Sequence, residues 1–192
     1  MLYNNGAYAA YISGAGSTLM GIVDKTNVDF ARRVRHELDQ MGRASWQVLM
    51  LDVDNTLSLH GNPEPYEGII PWVHQMRKLG IEMIIVSNNS RERVQPFADK
   101  LGIPCVGGGY KPLSKGMREA QTMLKTPKRH CAIVGDQLFT DIMGGNLYGI
   151  TSILVTPFEM EDKTGFKIKR KLERGFLRRY RRSHHKSKGD LL

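Results

Sequence analysis

The stretch QVLMLDVDNTLS, residues 47–58, decides the fold class of this chain. Its apolar run, VLML, has the near-continuous hydrophobic character of a strand covered on both faces of a sheet. The run ends in two acidic residues, Asp52 and Asp54, which lie one position apart. Alternate residues of a strand point to the same side, so the two carboxylates would leave the strand end together. Because close like charges repel, the pair predicts a bound cation at this strand end.

Four more short apolar runs resemble the first and alternate with amphipathic stretches. The five predicted strands cover residues 46–51, 81–86, 103–106, 130–134 and 151–155. Apolar residues at helical spacing lie between them, in the sets Ile69, Val73 and Met76; Val94, Phe97, Ala98 and Leu101; and Leu113, Met117, Ala120 and Leu124. Repeated strand–helix alternation predicts right-handed crossovers and an α/β fold with a doubly wound parallel sheet.

Polar residues follow the predicted strands at the point where each strand ends. In chain order they are Asp52, Asp54, Thr56, Ser87, Asn88, Asn89, Lys111, Asp136 and Asp141. The carboxyl ends of parallel strands share one edge of an open sheet, where ligands bind. We therefore expect these distant residues to converge on one site.

The residue types at this edge are those that phosphoryl transfer requires. A cluster of carboxylates favours the hard cation Mg²⁺, with water completing its coordination. Ser87 and Asn88 are predicted to lie at the start of a helix, where backbone N–H groups favour anions. Lys111 would stabilise negative charge on the transferring group. One aspartate could attack phosphorus while its neighbour handles the proton of the leaving group.

Four motifs in this order are typical of a known superfamily. The stretches DVDNT (52–56), SNN (87–89), YKP (110–112) and GDQLFTD (135–141) resemble the motifs of the haloacid dehalogenase-like (HAD) phosphatases. More narrowly, the chain resembles the YqeG-type members of subclass III A. The resemblance covers about 46–160 and implies a HAD-like Rossmannoid fold. One departure is the glycine triplet at 107–109, where relatives more often carry bulkier residues.

The resemblance implies a role for each motif residue. Asp52 would be the nucleophile that forms an aspartyl-phosphate, and Asp54 the general acid and then the base that activates water. The predicted metal ligands are Asp52, Asp54 through its backbone carbonyl, Asp136 and Asp141. The predicted substrate-binding residues are Thr56, Ser87, Asn88 and Lys111. Asp141 has two alternatives: it supports Lys111, or it only stabilises a helix N-terminus.

Composition divides the chain into three parts. We predict a partly helical N-terminal extension over 1–45, with a loosely docked start and a helix over 27–40, then a catalytic domain over 46–160 and a basic tail over 161–192. Only thirty residues separate Thr56 from Ser87, so no sizeable cap domain fits between these motifs. The open site this predicts suits a large or surface-bound substrate. The resemblance includes phosphatidylglycerophosphate phosphatases, which implies a substrate of that kind.

The net charge of +9 resides in the tail, where residues 163–188 hold twelve Lys or Arg and one acid. Four bulky apolar residues at four-residue steps predict a basic amphipathic helix there: Ile168, Leu172, Phe176 and Tyr180. An anionic membrane surface, RNA and the tail's own domain all stay open as its partner. The two cysteines lack metal-site spacing and suit a reducing compartment, and the uncharged N-terminal stretch is too interrupted to span a membrane. We therefore expect a cytoplasmic protein, peripheral at the membrane if the tail binds there.

Two other interpretations compete with the phosphatase. A receiver domain also phosphorylates an aspartate in an α/β sheet, but it lacks the GDxxxxD arrangement that residues 135–141 show. A non-catalytic HAD-like binding protein could dock its tail on RNA, the ribosome or an anionic membrane. The intact Asp54, Lys111 and Asp136 disfavour that loss of catalysis.

Overall fold

The computed structural model describes residues 7–12, 19–23, 46–155, 157, 172–173 and 175–176. The chain divides into two compact units, Met1–Phe158 and Glu159–Leu192. The helix predicted over 27–40 and most of the predicted tail helix lie outside the described residues, so both stay predictions. No described helix is long and apolar enough to cross a membrane.

The first unit contains a seven-stranded sheet with helices on both faces. Its strands are β1 Ala7–Ile12, β2 Leu19–Val23, β3 Val48–Leu51, β4 Glu82–Val86, β5 Cys105–Val106, β6 Cys131–Gly135 and β7 Thr151–Val155. Its helices are α1 Ile69–Lys78, α2 Arg91–Leu101, α3 Lys115–Leu124 and α4 Met143–Tyr148, with a 3₁₀ turn at Lys128–His130 and a π-helical turn at Leu138–Ile142. The strand order is β1-β2-β7-β6-β3-β4-β5, and every neighbouring pair is parallel except β1 with β2.

Strand β3 shows why the sheet is covered on both faces. Val48 and Met50 pack in one hydrophobic cluster, which includes residues of α3 and α4. Leu49 and Leu51 pack in the other, which includes residues of α1 and α2. All four side chains are buried, and full burial of such a side chain stabilises the fold by about 1.5–3 kcal/mol. The predicted doubly wound α/β fold and its five strands are thereby confirmed.

The start of the chain differs from the expectation of a loosely docked extension. Residues 7–12 and 19–23 are strands, and β2 pairs in parallel with β7. A sheet edge offers unpaired N–H and C=O groups, and an uncharged stretch rich in Ala, Tyr, Ile and Val is well suited to pair with it. The pairing joins residues about 130 positions apart, so local periodicity could not reveal it.

Helix α3 begins later than the predicted apolar pattern. Leu113 precedes the helix and is 65% exposed, whereas Met117 and Ala120 are buried as expected. The Leu113 N–H donates to the carbonyl of Tyr110 at 2.8 Å, so the chain turns here before the helix starts. This turn follows Lys111 and so belongs to the site.

Candidate active site

The predicted site residues converge at the carboxyl ends of the parallel strands. Asp52 directly follows β3, Ser87 follows β4 and Asp136 follows β6. The Asp52 N–H donates to the carbonyl of Val134 at 2.9 Å, which continues the β3–β6 pairing past the end of β3. The position of the Asp52 backbone is therefore set by the sheet itself.

Three carboxylates form a compact buried cluster. Oxygens of Asp52, Asp136 and Asp141 all lie within 4.8 Å of one another, and all three residues are buried. Asp141 reaches the cluster from the π-helical turn, where its Oδ2 accepts a hydrogen bond from the Gln137 N–H at 3.1 Å. Gly135 makes room for it, because a Cβ on Gly135 would come within 2.3 Å of the Asp141 carboxyl group.

Lys111 is the cation that faces this cluster. Its Nζ lies 2.7 Å from Asp52 Oδ1 and 2.6 Å from Asp141 Oδ1. Burial alone would lower the pKa of this ammonium group, but the charges of Asp141 and Asp52 outweigh that effect and raise it. Lys111 is therefore charged at neutral pH, and its cluster of three carboxylates retains an excess of negative charge.

Burial also acts on the two carboxylates that Lys111 contacts. It raises the pKa of Asp52 to about 6, although the Lys111 charge opposes this and the charge of Asp141 adds to it. The pKa of Asp141 is likewise raised by burial, against the effect of Lys111 and with a contribution from Asp136. Burial thus moves the pKa of Asp52 towards neutral pH.

The backbone of Lys111 is held by Asn88. The Asn88 Oδ1 accepts from the Lys111 N–H at 2.6 Å, and its Nδ2 donates to the Lys111 carbonyl at 3.0 Å. Both polar atoms of this side chain are therefore engaged in positioning Lys111. A direct contact between Asn88 and substrate stays a prediction.

The glycine triplet is explained by close backbone approach. A Cβ on Gly107 would come within 2.4 Å of the Arg91 backbone nitrogen, and Gly109 contacts Gly116 so closely that a Cβ on Gly116 would lie 2.6 Å from the Gly109 Cα. The Gly109 N–H also donates to the Ser87 carbonyl at 2.8 Å. The triplet thus lets the loop before Lys111 lie directly against the segment after β4.

Asp54 lies apart from the carboxylate cluster. Its Oδ2 accepts a hydrogen bond from Asn89 Nδ2 at 2.8 Å, and its Oδ1 accepts one from the Gly61 N–H at 2.8 Å. The His60 Nδ1 lies 3.7 Å from the same Oδ1. His60 was not among the predicted site residues; Asn89 was expected at this edge of the sheet, but nothing in the sequence paired it with Asp54.

Ser87 and Thr56 are both buried. Thr56 Oγ1 donates to Asp136 Oδ1 at 3.4 Å, and Ser87 Oγ accepts from the Asn89 N–H at 3.2 Å. The expectation that Ser87 lies at a helix start was wrong, because α2 begins at Arg91 with Ser90 at the N-cap position. Segment 87–89 instead pairs with the loop before Lys111, which delays the helix.

The donor set fits a divalent cation. Three buried carboxylates face one ammonium group, and carboxylate oxygens are the ligands that Mg²⁺ prefers. Without a cation, this excess of buried negative charge is costly. The arrangement can therefore hold a metal beside a carboxylate nucleophile, with a second carboxylate at the rim to move protons.

Comparison with known proteins agrees with this chemistry. The model of the haloacid dehalogenase-like hydrolase family matches residues 4–149, so the match begins well before residue 46, where the motif resemblance starts. The protein named Probable phosphatase YqeG, from Bacillus subtilis (strain 168), is 36% identical over 137 residues, which cover 71% of this chain and 80% of that relative. A crystal structure of an uncharacterized protein from Listeria monocytogenes serotype 4b has a TM-score of 0.51 at 17% identity, covering 61% of this chain and 84% of that one, and supports the fold alone.

Proposed function

Since the chain belongs to the haloacid dehalogenase-like hydrolases and is a phosphatase, we propose that it hydrolyses a phosphomonoester with Mg²⁺ through an aspartyl-phosphate on Asp52. One observation carries the proposal: the buried Asp52, Asp136 and Asp141 cluster together, Lys111 pairs with Asp52 and Asp141, and Asp54 stands outside the cluster. This separates a carboxylate able to attack phosphorus from one able to exchange protons with a leaving group. A non-catalytic role has no comparable observation in its favour.

The proposed first step is attack on the substrate. An oxygen of Asp52 forms a bond to phosphorus, the bond from phosphorus to the leaving oxygen breaks, and Asp54 gives that oxygen a proton. Lys111 and the Ser87 hydroxyl stabilise the negative charge of the phosphoryl oxygens. Asn89 and the Gly61 N–H hold the Asp54 side chain in place for this transfer.

The second step releases phosphate. Asp54, now a carboxylate, takes a proton from water as the water oxygen bonds to phosphorus, and the bond between phosphorus and Asp52 breaks. The carboxylates of Asp52 and Asp136 and the backbone carbonyl of Asp54 would hold Mg²⁺, and Asp141 would support Lys111. The cation would supply charge neutralisation for the phosphoryl oxygens.

Phosphate release from an aryl phosphate tests the proposal directly. We expect turnover that requires Mg²⁺, is lost with a chelator and returns when Mg²⁺ is added in excess. Turnover that is unchanged by chelation would contradict the metal assignment, and no turnover with aryl, lipid, sugar or nucleotide phosphates would contradict the function.

Substitution of Asp136 tests the metal site without an activity assay. Asp136→Asn is expected to raise the melting temperature of the metal-free protein by a few degrees, since it removes one of the excess buried charges while keeping the acceptor for Thr56. Mg²⁺ should raise the melting temperature of the wild type but not of this variant. The exposed Asp99→Asn is the matched control and should keep the Mg²⁺-induced shift. An equal shift in both variants would exclude Asp136 as a ligand.

A large or membrane-associated substrate, such as phosphatidylglycerophosphate, is the substrate class that we propose. All residues from 46 to 155 are described, and only α1, α2, α3, a 3₁₀ turn and short strands separate the motifs, so no cap domain is inserted within this range. A site without an inserted cap domain admits a phosphate carried on a bulky group. Cytoplasmic localisation and peripheral association with a membrane stay predictions.

The tail is proposed to bind anionic lipid, because residues 163–188 carry twelve basic residues and one acid. We expect the full chain to sediment with vesicles containing anionic phospholipid and to be released by salt, while a chain ending at residue 160 does not sediment. Neutral vesicles are the control, and an RNA-binding assay runs in parallel. If the full chain binds RNA but not vesicles, RNA replaces lipid as the proposed partner. If the full and the shortened chain bind equally, the tail binds neither.

A further inference from the structure

Tyr110 is an aromatic residue at the rim of the site whose position is not explained by packing. Its side chain is 60% exposed although it directly precedes the buried Lys111. Its φ of 52° lies in the left-handed region, which residues with a Cβ rarely adopt and which is strained for a bulky side chain. Aromatic residues usually stabilise a protein by burial, and this one keeps most of its surface available.

The loop that carries Tyr110 is connected to Asp54 by hydrogen bonds through Asn89. A Cβ on Gly108 would meet the Tyr110 Cε2 at 3.7 Å, so the ring stands beside Gly108. The Gly108 N–H donates to the Asn89 carbonyl at 2.7 Å, and the Asn89 side chain donates to Asp54. Gly108 and Asn89 therefore link the Tyr110 loop to the carboxylate that would protonate the leaving group.

One cation lies beside Tyr110 and another lies beside the loop that holds Asp54. The Lys115 Nζ lies 4.9 Å from the centroid of the Tyr110 ring, in a cation–π arrangement, and its residue is exposed. On the other side, a Cβ on Gly61 would lie 3.6 Å from a guanidinium nitrogen of Arg93. Because the Gly61 N–H holds Asp54, Arg93 lies on the Asp54 side of the site, and Lys115 lies on the side of Tyr110.

We propose that Tyr110 and Lys115 form a subsite for the leaving group, and that this group carries a negative charge of its own. The inference rests on the proposed phosphatase function and narrows its substrate class to phosphomonoesters with a second anionic group in the released alcohol. The Tyr110 ring supplies an apolar face, and Lys115 meets the second anion, with Arg93 opposite. No cap domain is inserted within residues 46–155, so the contacts that this range offers a leaving group come from its own loops.

Two small substrates with the same phosphate and different leaving groups test the subsite. Phenyl phosphate has a neutral leaving group, and 4-carboxyphenyl phosphate adds a carboxylate. Lys115→Gln is expected to raise KM for the carboxylated substrate about fivefold and to leave KM for phenyl phosphate unchanged. Tyr110→Ala is expected to raise KM for both about tenfold, while Tyr110→Phe keeps the ring and resembles the wild type.

Inorganic phosphate separates a subsite from a distortion of Lys111, because it has no leaving group. Its inhibition constant should be the same in the wild type, Tyr110→Ala and Lys115→Gln. The exposed Lys78→Gln on α1 is the control for a lost positive charge. It should change neither KM for the two substrates nor the inhibition constant of phosphate. The subsite is overturned if Lys115→Gln affects both substrates equally, or if Tyr110→Ala weakens inhibition by phosphate as much as it raises KM. A wild type that releases phosphate from neither substrate nor any other phosphomonoester would instead overturn the proposed function, and the subsite with it.

Discussion

Asp52→Asn is expected to lower kcat for an aryl phosphate by about 10⁴-fold or more, because an amide cannot form the phosphoryl intermediate. The structure gives a reason to expect that the variant still folds. Asn has the same shape as Asp, and Lys111 keeps its ion pair with Asp141 at 2.6 Å. Loss of activity would therefore report on chemistry and not on unfolding. The measurement is phosphate release, accompanied by the free energy of unfolding in urea.

Trapping the intermediate makes this test more specific. After an acid quench, the wild type should carry protein-bound phosphate that hydroxylamine removes, and Asp52→Asn should carry none. Asp54→Asn should accumulate the phosphorylated form, since an aryl leaving group departs without much help from an acid while water still needs a base. Asp99→Asn, an exposed carboxylate on α2, is the matched control and should behave as the wild type does. Phosphorylation of Asp52→Asn would show that another residue is the nucleophile.

Lys111→Met is expected to destabilise the fold by about 3–5 kcal/mol and to remove activity, because it leaves two buried carboxylates without their cation. Lys111 Nζ contacts both Asp52 and Asp141 and is itself buried, so solvent cannot replace it. The matched control is Lys100→Met, which removes an ion pair with Glu64 at 2.5 Å in which both side chains are partly exposed. Lys100→Met should lower the free energy of unfolding by less than about 1 kcal/mol.

The pH dependence of this destabilisation has a definite sign. Without Lys111, the pKa values of Asp52 and Asp141 would rise further above those of the unfolded chain, because the opposing cation is gone. A carboxyl group whose pKa is raised in the folded state favours folding less as the pH rises through that pKa. The free energy of unfolding of Lys111→Met should therefore be close to that of Lys100→Met at about pH 5 and well below it at about pH 8.

A double substitution identifies the cause. Lys111→Met with Asp141→Asn removes one of the two abandoned carboxylates, so it should recover part of the lost stability at the higher pH, without recovery of activity. If Lys111→Met is as stable as Lys100→Met at both pH values, the buried ion pairs do not carry the energy assigned to them.

The local sequence pattern predicted the architecture, because buried strands and helices show characteristic spacings of apolar residues. The continuous apolar run of β3 indicated a strand with two covered faces, and its residues do alternate between two cores. The helices followed from the spacing of residues such as Val73 and Met117, which are fully buried. The prediction was wrong for Leu113. This residue fits the helical spacing, but the turn after Lys111 excludes it from the helix and exposes it.

The edge strands β1 and β2 could not be predicted from the local sequence pattern. Strands β1 and β2 exist because β7 offers an edge to pair with, and the partners are far apart in the chain. The stretch contains suitable residues, but suitable residues without a partner do not make a strand.

By itself the sequence determined which chemical groups the site contains and that they would meet, since carboxylates, a lysine and a hydroxyl all follow strands whose ends share one edge. Only the tertiary structure decided which of those groups contact one another. It pairs Lys111 with both Asp52 and Asp141, and it turns Asp54 away to Asn89 and Gly61. Such pairings depend on ångström distances between loops from different strands, and on the low dielectric constant of the buried cluster, neither of which is encoded in the spacing of residues along the chain.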